Sequence, residues 1–136
     1  AMAINLLCGG ICNFHHFSSG SNLCMIIFKL GNFLGISSIL CCSKSYVIID
    51  GHHRYFALKK LGYKEIPVTL LDYDSDLIKT DYEEKISKNQ IVEFGTKGKL
   101  LTPKSTRHVF YSSSTENWEP IILLSSLFKL KGSKNL

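Results

Sequence analysis

The first 49 residues contain neither aspartate nor glutamate. Every aspartate and glutamate of this sequence therefore lies at Asp50 or later. Residues 1–43 hold a single charged side chain, Lys29, and residues 44–136 hold no cysteine. All five cysteines, Cys8, Cys12, Cys24, Cys41 and Cys42, lie in the nearly uncharged part. An odd number at irregular spacing is no disulfide framework and fits reduced thiols in a cytosolic protein. A second C-x2-C pair is also missing. A zinc site from Cys8, Cys12, His15 or His16 and Cys24 would have the irregular spacing C-x3-C-x2-H. Thiols packed in an apolar segment are the expected state instead.

Long apolar runs are missing as well. Cys24 to Leu40 is interrupted by Lys29, Gly31, Asn32, Gly35, Ser37 and Ser38. It falls short of the ~20 apolar residues a membrane-spanning helix needs. No basic segment opens the chain as a secretory signal would. No internal repeat, low-complexity tract or helix-turn-helix pattern is visible. A cytoplasmic protein with no membrane role is expected.

What is present fits one globular domain. The 136 residues are 45% hydrophobic and 20% charged, enough for one core and too few for two ordinary ones. The net charge of +5 suits an anionic ligand without choosing between nucleotide and nucleic acid. Residues 44–136 carry every acid and 15 of the 16 basic side chains. The expected organisation is a divergent apolar segment over residues 1–35, a core over 36–130 in the same domain, and a flexible tail over 131–136.

The coarse pattern mixes strands and helices. Residues 3–12 and 25–34 are apolar, and their periodicity does not decide between helix and strand. Residues 17–22 read as a loop. Ile39 to Cys42 and Tyr46 to Ile49 flank a tight polar break, which reads as a hairpin. Residues 52–61 read as a helix ending at Gly62, and Ile66 to Leu71 as a strand with Pro67 near its start. An acidic turn follows at 72–76. An amphipathic helix is expected over 83–94, capped near Gly95, and a last element over 116–130 with an apolar centre.

Two motifs carry chemistry. The first is Asp50-Gly51-His52-His53-Arg54, where a β-branched run turns through glycine into a helix. Free N–H groups and the positive helix end would face an anion there. Basic residues in a first helical turn are unfavourable unless an anion compensates them. Gly51 permits close backbone approach, and His52, His53 and Arg54 can donate to phosphate oxygens. Asp50 could hold Mg²⁺, polarise a hydroxyl or cap the helix; an aspartate cap beside exposed histidines is the plain alternative. The second motif is Pro103-Lys104-Ser105-Thr106-Arg107-His108, where two cations, two hydroxyls and a histidine follow a proline that fixes the backbone. Its plain alternative is a solvated basic turn.

Together the two motifs resemble those of the ParB/sulfiredoxin superfamily, and within it the ParB-like free serine kinase group. That group pairs a D-G-H-H-R box with a late P-K-[ST]-T-R-H segment. The likeness covers residues 36–111, including Ala57-Leu58, Leu61-Gly62, Ile66-Pro67-Val68 and Gly98-Lys99-Leu100-Leu101. It implies a small mixed α/β (α+β) fold and transfer of a phosphoryl group from ATP or ADP, with Mg²⁺, to the hydroxyl of free L-serine. By the same resemblance Gly51, His52, His53 and Arg54 would contact nucleotide phosphates. Asp50 and His53 would be the catalytic residues, with Asp50 beside the transferred group. Lys104, Ser105, Thr106, Arg107 and His108 would bind the serine substrate.

The chain departs from the group at one point. The group places a general-base glutamate ahead of the first hairpin, where this chain has no acid. Asp50 alone, or His15 or His16, would have to serve, or turnover would suffer. The alternatives are a ParB-like nucleotide- or DNA-binding module and a catalytically impaired relative. Nucleic acid is not the expected partner, because no helix-turn-helix follows. A sulfiredoxin-like reductase is disfavoured, since its G-C-H-R box has a cysteine where this chain has His52.

Overall fold

The computed structural model describes residues 5–7, 11–13, 27–30, 33–80, 86–98 and 107–131. The fold is mixed α/β, with three small sheets and two α-helices among these residues. In chain order the strands are β1 (Asn5–Leu7), β2 (Ile11–Asn13), β3 (Ile27–Leu30), β4 (Phe33–Ser37), β5 (Ile39–Cys42) and β6 (Ile48–Asp50). Helix α1 (His52–Lys60) leads to β7 (Glu65–Leu71) and β8 (Ile78–Thr80). Helix α2 (Lys88–Thr96) precedes β9 (His108–Ser112) and β10 (Asn117–Pro120); a 3-10 turn (Ile121–Leu124) then leads to β11 (Leu127–Lys131).

The main sheet runs β1-β2-β7-β5-β6, with β5 parallel to β7 and the other neighbours antiparallel. Strand β5 is buried along its whole length. Its side chains alternate between two cores, as a period of two requires. Ile39 and Cys41 join Ile36, Ile48, Tyr55, Leu58, Ile66 and Val68 on the side of α1. Leu40 and Cys42 join Ile49, Tyr73, Ile78 and Ile121 on the other side. Burying each large apolar side chain contributes roughly 1.5–3 kcal/mol, so β5 anchors both layers.

The hairpin expected across Ser43-Lys44-Ser45 forms as β5 and β6, with Tyr46 at φ 58 and a register shift at Leu40/Cys41. Helix α1 ends as its sequence suggests. Gly62 adopts φ 87, and the Tyr63 N–H closes on the Leu58 carbonyl at 3.1 Å. Residues 65–71 form the expected strand, although its pairing with both β2 and β5 puts Pro67 inside the sheet.

Three expectations change. The undecided N-terminal segments contain strands, β1 with β2 and β3 with β4. The second helix begins at Lys88, behind a Ser87–Gln90 capping box, and runs through Gly95 to Thr96. Gly95 is therefore an interior residue; a Cβ there would collide with both methyl groups of Val47. The single element expected over 116–130 is two strands and a 3-10 turn, divided at Pro120 and at Ser125-Ser126. The loop at 17–22, most of the tail at 131–136, and residues 83–85 lie outside the described residues.

Among the described residues no helix is long and apolar enough to cross a membrane. Cys41 and Cys42 are buried and form no disulfide. The zinc-site residues Cys8, His15, His16 and Cys24 lie outside the described residues. No group of three His, Cys, Asp or Glu side chains that could hold a metal occurs among those described.

Candidate functional site

Strand β6 delivers Asp50 to the edge of the main sheet, and Gly51 turns the chain into α1 with φ 102 and ψ 21. No side chain among the described residues caps the helix, and its first turn holds no acid. The N–H groups of His52, His53 and Arg54 precede that of Tyr55, which makes the first helical bond, to the Gly51 carbonyl at 2.9 Å. They point out of the helix with its positive end uncompensated, as an anion-binding N-terminus requires. Lys59 and Lys60, in the last turn, suit the opposite pole.

Arg54 does not extend into solvent. Its side chain is buried and folds back over Gly51, so that a Cβ on residue 51 would lie 2.8 Å from Nη2. Nη2 donates to the Ser38 carbonyl at 3.2 Å and to Asp50 Oδ2 at 3.3 Å. Nε is buried without a hydrogen-bond partner among the described residues. An orphaned guanidinium nitrogen beside an uncapped helix end is an unmet demand for an acceptor. Ser38 fixes this geometry. It is fully buried, its Oγ lies 2.7 Å from Thr69 Oγ1 and accepts from the Ser126 N–H at 2.9 Å.

His52 and His53 differ. His53 is exposed, whereas His52 is half-buried with Nε2 buried and unpartnered among the described residues. Burial, with smaller contributions from His53 and His108, pushes the His52 ring down to about 3. His52 is therefore a neutral hydrogen-bonding group at ordinary pH.

The second motif is only partly described. Lys104, Ser105 and Thr106 lie outside the described residues. Arg107 is exposed just ahead of β9, and His108 begins that strand, buried, opposite Thr80. His108 Nε2 is 2.7 Å from the hydroxyl of Tyr73, and the two rings lie 5.5 Å apart. Tyr73 packs in the same core as Leu40 and Ile49, the cross-strand partner and chain neighbour of Asp50.

Three participants were missed from sequence. Ser38 sits in an apolar run, Tyr73 in an acidic turn, and Thr80, whose Oγ1 is buried and without a partner among the described residues, ends a short strand. Their spacing carries no signal; Tyr73 and His108 are 35 residues apart.

A 34-residue stretch, 25% of this chain, is 47% identical to the ATP-dependent L-serine kinase of Staphylothermus marinus. A stretch of the same length is 56% identical to the ADP-dependent L-serine kinase of Thermococcus kodakarensis. The stretch matches the ParB-like free serine kinase group. A ParB-like protein of Sulfolobus acidocaldarius is 42% identical over 43 residues, 32% of this chain. The matched part spans 14% of the length of each of these two kinases and 22% of the ParB-like protein. No protein-family model and no solved structure matches the chain.

Proposed function

We propose that this protein phosphorylates the hydroxyl of free L-serine, using ATP or ADP and giving O-phospho-L-serine. The observation that carries the reading is the start of α1, where no described side chain caps the helix and the Nε of Arg54 is buried without a partner among the described residues. The names of the two matched kinases supply the reaction class.

In this reading the N–H groups at the start of α1, with His52, His53 and Arg54, receive the nucleotide phosphates. Gly51 leaves room for the Arg54 guanidinium to lie beside the helix start. Arg107 and His108, with Lys104, Ser105 and Thr106, hold serine. The serine oxygen attacks the terminal phosphorus as the bond to the nucleotide oxygen breaks, and the hydroxyl proton passes to a protein base. Such a transfer needs alignment and neutralised charge more than covalent chemistry.

His52 is too weak a base at about 3 to take that proton efficiently. Within the first motif Asp50 and His53 remain, and Asp50 is already oriented by Arg54. One partly exposed carboxylate fits a Mg²⁺ that arrives with the nucleotide, since that ion keeps most of its shell from phosphate and water. Mg²⁺ would supply charge neutralisation on the phosphates.

The test is incubation with Mg²⁺, free L-serine and either nucleotide, read for O-phosphoserine by mass. Formation with one donor supports the reading, and no product with either sinks it. If instead the protein shifts duplex DNA in a salt-dependent way without making product, the ParB-like binding module replaces it.

A further inference from the structure

Three side-chain atoms are buried without a hydrogen-bond partner among the described residues: His52 Nε2, Arg54 Nε and Thr80 Oγ1. Two of them belong to the first motif. Thr80 belongs to neither motif, yet it ends β8 directly across from His108, the last residue of the second. It is 3% exposed. Cross-strand partners share a face of a sheet, and so do residues two apart on one strand. Thr80 is therefore on the face of Ile78, which packs in one core with Leu40, Ile49 and Tyr73. Two other buried hydroxyls are, by contrast, engaged. Ser38 Oγ lies 2.7 Å from Thr69 Oγ1. The Tyr73 hydroxyl lies 2.7 Å from His108 Nε2, and the Tyr73 carbonyl accepts from Lys88, the first residue of α2, at 3.1 Å.

We propose that Thr80 is a substrate-binding residue whose hydroxyl makes a hydrogen bond to the bound amino acid. This inference deepens the serine-kinase reading and rests on it for the identity of the ligand. A buried hydroxyl without a partner destabilises the free protein, and a valine of nearly the same shape carries no such penalty. The hydroxyl therefore answers a need that the described residues do not supply. Its position names that need. Thr80 faces the residue on which the second motif ends, and that motif is the one the reading assigns to serine. A hydroxyl can accept from the ammonium of an amino acid or donate to its carboxylate. Being neutral, it adds little to the neutralisation of phosphate charge, which falls to the start of α1.

The test is steady-state kinetics of Thr80→Val and Thr80→Ser in the full chain, with urea unfolding of the same proteins. Thr80→Val keeps the shape and removes the hydroxyl. Its KM for serine should rise about tenfold, while kcat and the KM for nucleotide change much less, as loss of one hydrogen bond made equally in ground and transition states implies. Its urea midpoint without ligand should equal or exceed that of the unsubstituted protein, because no internal hydrogen bond is lost. Thr80→Ser restores the hydroxyl and should bring the KM back toward the unsubstituted value. A folded Thr80→Val with an unaltered KM for serine overturns the assignment and leaves the serine reading standing. A Thr80→Val that unfolds, or has a lower midpoint, also overturns it, since the hydroxyl then serves the fold. If the unsubstituted protein makes no O-phosphoserine, the serine reading falls and this inference falls with it.

Discussion

The guanidinium of Arg54 occupies the space that a side chain on residue 51 would fill. Glycine at 51 therefore does two things at once. It takes the left-handed turn from β6 into α1, and it lets Arg54 fold back to Asp50 and the Ser38 carbonyl. The motif is a single mechanical unit, and its cation is stored beside the helix end instead of waving in solvent.

Gly51→Ala should destabilise the protein by roughly 1–3 kcal/mol, from the left-handed backbone and the displaced guanidinium. Gly98→Ala is the control. It also has positive φ, but open space surrounds it, so its cost should be smaller. Urea unfolding midpoints of the two variants compare them directly.

Gly95→Ala separates helix propensity from packing. Propensity alone makes an interior helical alanine about 0.5–1 kcal/mol better than glycine. Here the new methyl meets Val47, so a loss of about 1–3 kcal/mol is expected. Adding Val47→Ala should recover part of that loss, and a double-mutant cycle on unfolding free energies measures the coupling.

His52 makes the fold acid-sensitive. Its ring titrates near 3 when folded, against an ordinary 6.5. Between these values the unfolded chain binds more protons, so stability is full above about 6.5 and falls as pH drops toward about 3. In His52→Gln the slope of stability against pH across this window should be shallower. Denaturation midpoints from pH 7 to pH 4 give the comparison.

Ser87 caps α2 by accepting from the Gln90 N–H at 3.2 Å, while Gln90 returns a bond to the Ser87 N–H at 2.9 Å. Ser87→Ala should cost about 0.5–2 kcal/mol. Because Lys88 ties the same helix end to Tyr73, the loss should be accompanied by faster amide exchange at 88–91.

The legible parts of this fold were those with local causes. The polar break at 43–45 and the glycine at 62 specified the hairpin and the end of α1 within a few residues. Strand β7 announced itself by β-branched residues. Gly95 misled because a glycine that serves close packing looks, in sequence, like one that ends a helix. The N-terminal strands were undecided because their partners are distant, as with Ile11 opposite Pro67. The strand-glycine-helix turn of the first motif was legible. The folding-back of Arg54, the depressed basicity of His52 and the Tyr73–His108 bond were not, since each depends on burial set by residues far along the chain.

The most direct measurement is calorimetric titration of ATP and ADP into the unsubstituted protein and into Arg54→Ala, with folding checked by circular dichroism. Expected is binding of one nucleotide that weakens at least about tenfold on losing the guanidinium, the scale of a charge-assisted hydrogen bond. Equal affinity in a folded Arg54→Ala would contradict the placement of nucleotide phosphate at the start of α1.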